Sequence, residues 1–477
     1  MSAQAKFSPR NFHPQAEAAL ADPVLRQNFR GAMDYLRAKR REAFADPSEE
    51  AAVRDAAEQI RQRCLSNLPA LLEQLEARCQ ENGIQVHWAQ TPDEANTLIH
   101  QIAQRHQVQT IVKGKSMVSE EVGFNHAMAA HGIHCLESDM GEYIVQLDGD
   151  APSHIIMPAI HKNIQEVSDT FAEHLDGFTP TNDVDALIQT GRRALREQFR
   201  RADMGLSGVN FAVAETGTLC LVENEGNGRM CTTIPKVHVA ITGIEKVVAS
   251  LSDLPPLYSA LTRSATGQTI STYFNLISGP RRPGELDGPD EVHLVLLDNG
   301  RSQAYQDQAL RQTLQCIRCG ACMNHCPVYT RIGGHAYGTV YPGPIGKIIS
   351  PHLLGLESTQ HLITASSLCG ACGDVCPVRI PIPDLLQRLR REAKHPAAPG
   401  RLPLIGQGTA AKGIERVLMR GFATLATHPR LYHTLTAIIA RFQRLIPKHL
   451  GPWTRCRQAP KPAPKSLNAL LRQPGKE

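Results

Sequence analysis

Two near-copies of one cysteine motif lie in the second half of this 477-residue chain. The first copy, TLQCIRCGACMNHCP, has C-x2-C-x2-C-x3-C-P spacing and contributes four cysteines: Cys316, Cys319, Cys322 and Cys326. The second copy, SSLCGACGDVCP, contributes three more: Cys369, Cys372 and Cys376. Ser366 stands where the first cysteine of the second copy would fall. Clustering of this kind indicates metal ligation, because closely spaced thiolates converge on one site.

The spacing is typical of iron–sulfur proteins, in which the fourth cysteine of such a run ligates the neighbouring cluster. Applied to this chain, the rule predicts a first cluster with four thiolate ligands: Cys316, Cys319, Cys322 and Cys376. It predicts a second cluster with three: Cys326, Cys369 and Cys372. We expect two clusters of the 4Fe–4S type, of which the second could instead be 3Fe–4S. Zinc, which commonly takes four ligands as two C-x2-C pairs, fits seven cysteines poorly.

Ser366 leaves one position of the second cluster open. Ser366 itself, water or substrate could complete a four-iron cluster; the fourth iron could be absent; or a distant side chain could supply the ligand. An alkoxide forms less readily than a thiolate. The Ser366 hydroxyl could instead do no more than hydrogen-bond to nearby backbone.

The cysteine usage also bears on the compartment. The N-terminal segment MSAQAKFSPRNFHPQ lacks the apolar stretch of a secretory signal, and no apolar run approaches the roughly 20 residues that span a bilayer. Thirteen cysteines in a cytosolic chain argue against a disulfide framework. We expect a cytoplasmic protein, with peripheral association at the inner face of the membrane as an option.

Residue patterning divides the chain into four regions. Residues 1–85 are predicted to be helical, because apolar residues recur at helical spacing through AEQIRQRCLSNLPALLEQLEARCQENG. Residues 86–300 are predicted to form an α/β domain. Residues 301–396 are predicted to form an α-helical ferredoxin domain, since helix-like flanks surround widely separated motifs. Residues 397–477 form a basic C-terminal region whose end is expected to be disordered.

Within residues 86–300, short β-rich runs alternate with helical stretches, which predicts a largely parallel sheet. Strands are predicted for VQTIVKG, GIHCLES, EYIVQL, SHIIMPAI, NFAVAETGTLCLVEN, KVHVAITGIEKVV and EVHLVLLDNG. Helices are predicted for EEVGFNHAMAAHG and NIQEVSDTFAEHL, and a loop for GPRRPGELDGPD. Between the cysteine motifs, Pro342, Pro344 and Pro351 are expected to limit regular structure. Further helices are predicted for IPIPDLLQRLRREAK, GIERVLMRGFATLAT and LYHTLTAIIARFQRLI.

The net charge of +5 hides an asymmetry along the chain. Residues 401–477 carry 14 lysines and arginines against Glu415 and Glu477, whereas the remainder of the chain is mildly acidic. This tail could be a solvated segment, or it could dock on an acidic partner or an anionic membrane surface. It contains no nucleic-acid recognition motif, so no nucleic-acid partner is expected.

The joined pattern resembles the bacterial lactate-utilisation protein B family, whose members are the iron–sulfur component of an L-lactate oxidation system. The resemblance lies in CIRCGACMNHCPVYTRIGGHAYGTVYPGPIG followed by SSLCGACGDVCPVRIPIPDLL. It extends through KGKSMVSEEVGFNHAM, ESDMGEYIVQL, PSHIIMPAIHKN and NFAVAETGTLCLVENEGNGRM, and it spans about residues 40–400. The missing cysteine at position 366 is similar to the family pattern.

The resemblance implies a role in oxidising L-lactate to pyruvate together with two partner subunits. One partner would be cysteine-rich, and the other would share the α/β domain. The α/β domain itself resembles a Rossmann-like variant of the sugar-phosphate-isomerase type. Because no nicotinamide or flavin motif is evident, we interpret the chain as the electron-transfer component of an L-lactate oxidoreductase complex, not catalytic alone.

Glycine-containing turns of the α/β region offer candidates for a substrate or anion site. The KGKS turn ends a predicted strand and opens a helix, where anions tend to bind. The ETGT and GNGR turns could supply backbone amides and a cation. Such turns are more often plain connections. The candidate residues are Lys113, Lys115, Glu215 and Arg229.

Two other functions fit parts of the pattern. An iron–sulfur subunit of another anaerobic-type dehydrogenase, acting on glycolate or glycerol phosphate, would share the paired motifs but typically carry eight cysteines and no N-terminal α/β domain. A regulatory protein whose clusters sense oxygen or iron would use the basic tail as a docking arm. The seven-cysteine pattern and the α/β domain in one chain favour the lactate role.

Overall fold

A computed structural model of the protein describes residues 8–394, 413–442, 463–465 and 467–471. Contacts along the chain divide it into two compact units, residues 1–408 and residues 409–477. The first unit contains the N-terminal helices, the α/β region and both cysteine motifs. The described part of the second unit is mostly helical.

Four helices open the described chain, within the region predicted to be helical: α1 Phe12–Ala21, α2 Pro23–Ala43, α3 Pro47–Ser66 and α4 Leu68–Glu81. Asp22 and Asp46 cap α2 and α3, each accepting backbone N–H groups of the first turn just before a proline. Helix α4 buries Leu68, Leu72 and Leu75 at helical spacing against the sheet that follows.

The described residues form ten strands: β1 Ile84–Ala89, β2 Thr110–Lys113, β3 His134–Glu137, β4 Met204–Gly208, β5 Phe211–Val213, β6 Thr218–Glu223, β7 Val237–Gly243, β8 Val247–Val248, β9 Tyr273–Ile277 and β10 Glu291–Leu297. Six of them make one parallel sheet in the order β1-β10-β7-β4-β2-β3. A smaller mixed sheet has the order β8-β5-β6-β9. The predicted α/β fold with a parallel sheet is therefore confirmed.

Eight helices connect these strands: α5 Pro92–Arg105, α6 Met117–Glu121, α7 Phe124–Ala129, α8 Met140–Leu147, α9 Ile164–His174, α10 Val184–Arg201, α11 Asn227–Thr233 and α12 Leu254–Thr266. From β2 the chain moves outward to β3, whereas from β4 it moves the other way to β7. The loops that leave β2 and β4 therefore diverge. A crevice at such a reversal, outside the carboxyl ends of the strands, is where open α/β sheets bind ligands.

Two predicted strands are wrong. The EYIVQL run lies in helix α8, which Asp139 caps through the backbone N–H of Glu142. Met140, Tyr143, Ile144 and Leu147 have the i, i+3, i+4, i+7 spacing of a helix, so this short apolar run follows the helical period and not that of a strand.

The SHIIMPAI run forms turns instead of a strand. The Nδ1 atom of His154 accepts hydrogen bonds from the backbone N–H groups of Ile156 and Met157. The imidazole of His154 thus accepts backbone hydrogen bonds that a neighbouring strand would accept if this run were part of a sheet. The run is apolar because Ile155 and Ile160 are buried in the core, not because it belongs to a sheet.

Seven helices build the region of the cysteine motifs: α13 Arg301–Gln306, α14 Ala321–Asn324, α15 Tyr329–Ile332, α16 Gly343–Leu354, α17 Leu356–Thr359, α18 Ala371–Asp374 and α19 Ile382–Lys394. Helix α19 matches the predicted helix and buries Leu385, Leu386 and Leu389. The GPRRPGELDGPD segment is free of helix and strand, as predicted.

The expectation that prolines limit regular structure between the motifs is wrong, because helix α16 spans twelve residues there. Pro344 stands in its first turn, where the backbone N–H has no partner in any case. Pro351 removes a hydrogen bond near the C-terminal end, but every residue from Gly343 to His352 is buried. Burial of the whole helix outweighs that loss.

Gly334 marks a close approach between the cysteine region and the α/β region. A Cβ atom on Gly334 would lie 1.8 Å from the carbonyl oxygen of Ser153, and the hydroxyl of Tyr329 donates to the same oxygen at 2.6 Å. We expect Gly334→Ala to destabilise the first unit by about 2–3 kcal/mol, because backbone would have to move on both sides. Thermal unfolding of the purified chain measures this effect.

Gly31→Ala is the matched control for that substitution. Gly31 lies in α2, and nothing lies within 4 Å of its added Cβ. This change is expected to stabilise the helix by up to about 1 kcal/mol. Equal melting temperatures for the two variants would contradict the close approach at Gly334.

The described part of the second unit contains α20 Gly413–Thr427, α21 Pro429–Arg441 and α22 Leu467–Leu471. The first confirms the helix predicted for GIERVLMRGFATLAT, and the second confirms the helix predicted for LYHTLTAIIARFQRLI as far as Arg441, since residues 443–446 lie outside the described ranges. The predicted disorder at the chain end falls mostly on residues outside the described ranges. Among the described helices, none has both the length and the apolarity to cross a membrane.

Candidate iron–sulfur centres and the adjoining cavity

The two cysteine motifs have the same local backbone. Arg318 and Leu368, which stand at equivalent positions, both adopt left-handed conformations, with φ of 62° and 55°. The N–H of Arg318 donates to Sγ of Cys316 at 3.3 Å, and the N–H of Leu368 donates to Oγ of Ser366 at 3.1 Å. The hydroxyl of Ser366 therefore takes the local hydrogen-bonding role that the thiol of Cys316 has in the first motif.

Four cysteines form the first sulfur group, which lies in the core of the first unit: Cys316, Cys319, Cys322 and Cys376. Burial, and then the charges of the other three, raise the pKa of Cys322 well above its ordinary value. Burial raises the pKa of Cys376 to about 12, and the charge of Cys316 contributes to that rise. The fold thus brings a cysteine of the second motif beside three of the first.

Three cysteines form the second sulfur group: Cys326, Cys369 and Cys372. Together with Ser366 they line one small pocket between the two motifs. Burial, and then the charge of Cys326, raise the pKa of Cys372 to about 11. Cys369 is exposed and Cys372 is half-buried, whereas Cys326 is buried. The second group therefore lies closer to solvent than the first.

This donor set fits iron–sulfur clusters. Buried thiols that raise one another's pKa cannot ionise together without a cation, and the irons of a cluster would supply that charge. Zinc bonds of about 2.3 Å in tetrahedral geometry would place four sulfurs about 3.8 Å apart. Within the described residues, the groups of three potential ligands that lie within 4.8 Å of one another contain histidine and carboxylates, not cysteine.

Three buried basic side chains, the cation group, surround Cys316: Arg61, Lys246 and Arg318. Burial lowers the pKa of Lys246 to about 7, so the two arginines supply most of the positive charge at neutral pH. Arg61 donates to the carbonyl oxygens of Leu314 at 3.0 Å and Gln315 at 3.3 Å. Lys246 donates to the carbonyl oxygen of Cys316 at 3.2 Å. Positive charge at this position stabilises an anionic sulfur centre. Sequence reasoning missed all three residues, although an arginine on the apolar face of α3 was a signal.

Two buried carboxylates, those of Glu121 and Glu245, balance part of this positive charge, and Arg301 joins them. The guanidinium of Arg301 binds Glu121 with two hydrogen bonds of 2.8 Å and donates from Nε to Glu245 at 2.6 Å. Arg318 donates to the other oxygen of Glu245 at 3.2 Å. Burial alone would raise the pKa of Glu245, but Arg301 and Arg318 lower it to about 2. The network therefore remains ionised at neutral pH.

Two of the four anion candidates lie where β2 ends: Lys113 is its last residue, and Lys115 lies on the loop that leaves it. Lys113 is fully buried, and its Nζ lies 2.5 Å from Glu120 and 2.6 Å from Glu137. Burial would lower its pKa, but the charges of these carboxylates raise it above the ordinary value. Lys115 lines a cavity of about 510 Å³ and donates to the carbonyl oxygen of Ile156.

The other two candidates lie outside that cavity lining. Glu215 is exposed, and its carboxylate accepts the backbone N–H of Leu251 at 3.1 Å. Arg229 is also exposed, although Asn227 and Gly228 of the same turn line the cavity. The structure therefore brings Lys115, but not the other three candidates, to the cavity wall.

Ser366→Cys is expected to give the second sulfur group a fourth thiolate. The cysteine side chain fits, because Cys316 adopts the same turn in the first motif. The iron bound at this group should then resist loss during mild oxidation, measured as iron per chain and by EPR. Ser366→Ala should retain the iron content of the natural chain, and its loss would instead identify the hydroxyl as a ligand.

Three family models match successive parts of the chain. A LUD domain covers residues 72–297, a 4Fe–4S dicluster domain covers residues 312–380, and the C-terminal domain of lactate utilisation protein B covers residues 388–476. The dicluster match contains all seven cysteines and Ser366. The chain therefore carries an iron–sulfur domain next to an α/β domain with a parallel sheet.

Relatives match nearly the whole length. Lactate utilization protein B of Exiguobacterium sp. (strain ATCC BAA-1283 / AT1b) is 40% identical over 97% of this chain and 97% of its own. The protein of the same name from Bacillus licheniformis is 40% identical over 96% and 95%. The uncharacterized electron transport protein YkgF of Escherichia coli (strain K12) is 43% identical over 90% and 87%. By these matches, the chain belongs to the lactate utilisation protein B family.

Proposed function

We propose that this protein is the iron–sulfur electron-transfer subunit of a complex that oxidises L-lactate to pyruvate. The observation that carries the proposal is the pair of sulfur groups, one buried beside the α/β domain and one near solvent. Iron–sulfur clusters, when bound, accept and release single electrons. The names of its relatives support the lactate role and the transport of electrons.

The residues around the sulfur groups suit this function. The cation group stabilises added negative charge at the first sulfur group, and Lys347, which is buried, lies near Cys326 and Cys372 of the second. Both surroundings favour the reduced form of a centre held there. We propose two clusters, the first 4Fe–4S and the second 4Fe–4S or 3Fe–4S.

Two partner proteins are included in the proposal, one cysteine-rich and one sharing the α/β domain. The basic C-terminal region is proposed to dock on an acidic partner or on the anionic inner face of the membrane. Helices α20 and α21 expose apolar side chains that such docking could cover: Val417, Leu418, Phe422, Leu431 and Ile438. Flotation with anionic vesicles and co-purification with the partners distinguish the two modes of docking.

We also propose that the α/β domain is a Rossmann-like variant of the sugar-phosphate-isomerase type. The six-stranded parallel sheet with helical connections supports this assignment. Strand β1 is the edge strand of this sheet and pairs with β10. A Rossmann-like variant of this type would therefore have to place its first strand at the edge. Comparison of an experimental structure with isomerases of that type tests the assignment.

Anaerobic purification with iron quantitation and EPR tests the proposed function. With both partner proteins present, L-lactate is expected to reduce the clusters at a rate that matches pyruvate formation. Glycolate and glycerol phosphate should reduce them far more slowly. Reduction by either of these, or no reduction by L-lactate in the reconstituted complex, would assign the protein to another dehydrogenase or to a sensor.

A further inference from the structure

The cavity that Lys115 lines lies between the α/β sheet and the first cysteine motif. One wall consists of the loops that leave β2 and β4, residues 114–116 and 208–210. These are the loops that diverge where the strand order reverses, the usual ligand position in an open α/β sheet. Arg318 and Tyr341 also line the cavity. The cavity thus adjoins the first sulfur group, since Arg318 follows Cys316 by two residues.

One nitrogen of the Arg318 guanidinium donates no hydrogen bond to the described part of the protein. It is 8% exposed, its guanidinium stacks over Tyr341 at 4.7 Å, and Nη2 donates to Glu245 at 3.2 Å. Nη1 is buried, and within the described residues it has no hydrogen-bond partner. An unpaired buried guanidinium nitrogen is costly, so this atom points to an acceptor that the bound ligand supplies.

Two lysines line the same cavity, and of these Lys115 adds positive charge, whereas burial lowers the pKa of Lys246 to about 7, so that its charge at neutral pH is partial. Lys246 lines it while donating to the carbonyl oxygen of Cys316, and Lys115 lines it from the β2 loop. Glu223 is held by the backbone N–H groups of Gly228 and Arg229 at 2.6 and 2.7 Å, so its carboxylate already has partners. Unsatisfied charge in the cavity is therefore concentrated at Arg318.

We infer that this cavity binds a small organic carboxylate of the 2-hydroxy acid or 2-oxo acid class, with its carboxylate against Arg318. The guanidinium offers the charge-assisted hydrogen bond that a carboxylate accepts. The identity of the acid rests on the proposed function, whereas its negative charge rests on Arg318, with Lys115 in support.

The composition of the lining favours a carboxylate over inorganic phosphate. Asp139, Glu223 and Glu225 also line the cavity, which disfavours a dianion. Apolar side chains make up much of the remaining wall, among them Met117, Ile155, Leu221 and Leu261. They would contact the carbon chain of an organic acid, and the volume of about 510 Å³ leaves room for a chain longer than three carbons.

Calorimetric titration of the full chain, purified anaerobically with its iron, tests the inference. The probes are L-lactate, pyruvate, 2-hydroxyhexanoate and inorganic phosphate. The organic acids are expected to bind and phosphate is not. Arg318→Leu should weaken binding of the organic acids at least tenfold, and leucine is accepted by this backbone because Leu368 has the same conformation. Lys115→Met should weaken binding severalfold.

Two matched controls lie outside the cavity. Arg379→Leu makes the same change in a left-handed residue three positions after Cys376, where the side chain pairs with Asp55 and Glu58 on the surface. Lys236→Met changes an exposed lysine just before β7. Both controls should bind the acids as the natural chain does. If Arg318→Leu loses iron, its weaker binding of the acids has two explanations. The affinity of Lys115→Met for the acids then decides whether the cavity binds them.

The failures of the inference and of the proposed function are distinguishable. Absence of carboxylate binding, binding of phosphate alone, or unchanged affinity in both cavity variants would overturn the cavity assignment. Lactate-dependent reduction of the reconstituted complex would leave the proposed function standing in that case. Conversely, Arg318-dependent carboxylate binding without reduction by lactate would support the cavity and reject the electron-transfer role.

Discussion

Replacement of Cys376 with alanine is expected to abolish iron binding at the first sulfur group, although Cys376 belongs to the second motif. The fold places this cysteine beside Cys316, Cys319 and Cys322 in the buried core. A cluster that lacks one of four buried thiolates would leave an uncompensated iron corner, which the apolar surroundings cannot solvate. The iron content should fall to about half of that in the natural chain.

Cys326→Ala is the reciprocal test, since Cys326 lies in the first motif but belongs to the second sulfur group. The EPR signal that disappears should differ between the two variants, and each variant should retain the signal that the other loses. Cys220→Ala is the control, because Cys220 is buried in β6, belongs to neither motif and should leave the iron content unchanged. Loss of the same signal in Cys326→Ala and Cys376→Ala would contradict the exchange of ligands between motifs.

Replacement of Arg301 with methionine is expected to destabilise the first unit by about 3–5 kcal/mol, because two buried carboxylates would lose their main partner. Arg301 is 1% exposed and joins Glu121, from the loop region after β2, to Glu245 after β7. Arg318 alone would remain to neutralise Glu245. The variant should melt many degrees lower or fail to accumulate as folded protein.

Arg200→Met is the control for charge removal, since Arg200 pairs with Glu197 on an exposed helix face and contributes about 1 kcal/mol or less. A second measurement separates unpaired charge from lost packing. Combining Arg301→Met with Glu245→Gln should recover part of the lost stability, because the glutamine carries no charge to leave unpaired. Equal melting temperatures for Arg301→Met and Arg200→Met would show that the buried network adds little.

Much of the fold was predictable from sequence because the signals were local and strongly periodic. Helices α3, α4 and α19 carry clear apolar stripes, and strands such as β7 and β10 are mostly apolar and buried along nearly their whole length in the parallel sheet. The predictions failed where a short apolar run had two explanations. Burial gave Ile155 and Ile160 their apolar character in turns, and Met140 and Tyr143 follow a helical period over only two turns.

The candidate site was predictable to a different extent in its two parts. Cysteine spacing predicts both ligand sets, because the geometry of a cluster imposes the separations along the chain. Of the neighbouring cations, only Arg61 carried a signal, as an arginine on the apolar face of α3. Lys246 comes from a distant segment, and Arg318 lies inside the first motif at a position to which the cysteine spacing assigns no role.

The sequence by itself determined that the chain carries two cysteine motifs of the dicluster type and that Ser366 replaces one of the cysteines, since both depend on short-range spacing. Only the tertiary structure decided what surrounds them: which cations lie against Cys316, which carboxylates balance those cations, and where the cavity opens. These features arise from contacts between residues far apart in the sequence, such as Arg61 with Gln315 and Lys246 with Cys316. Such contacts follow from how the sheet and helices pack, and no local pattern encodes them.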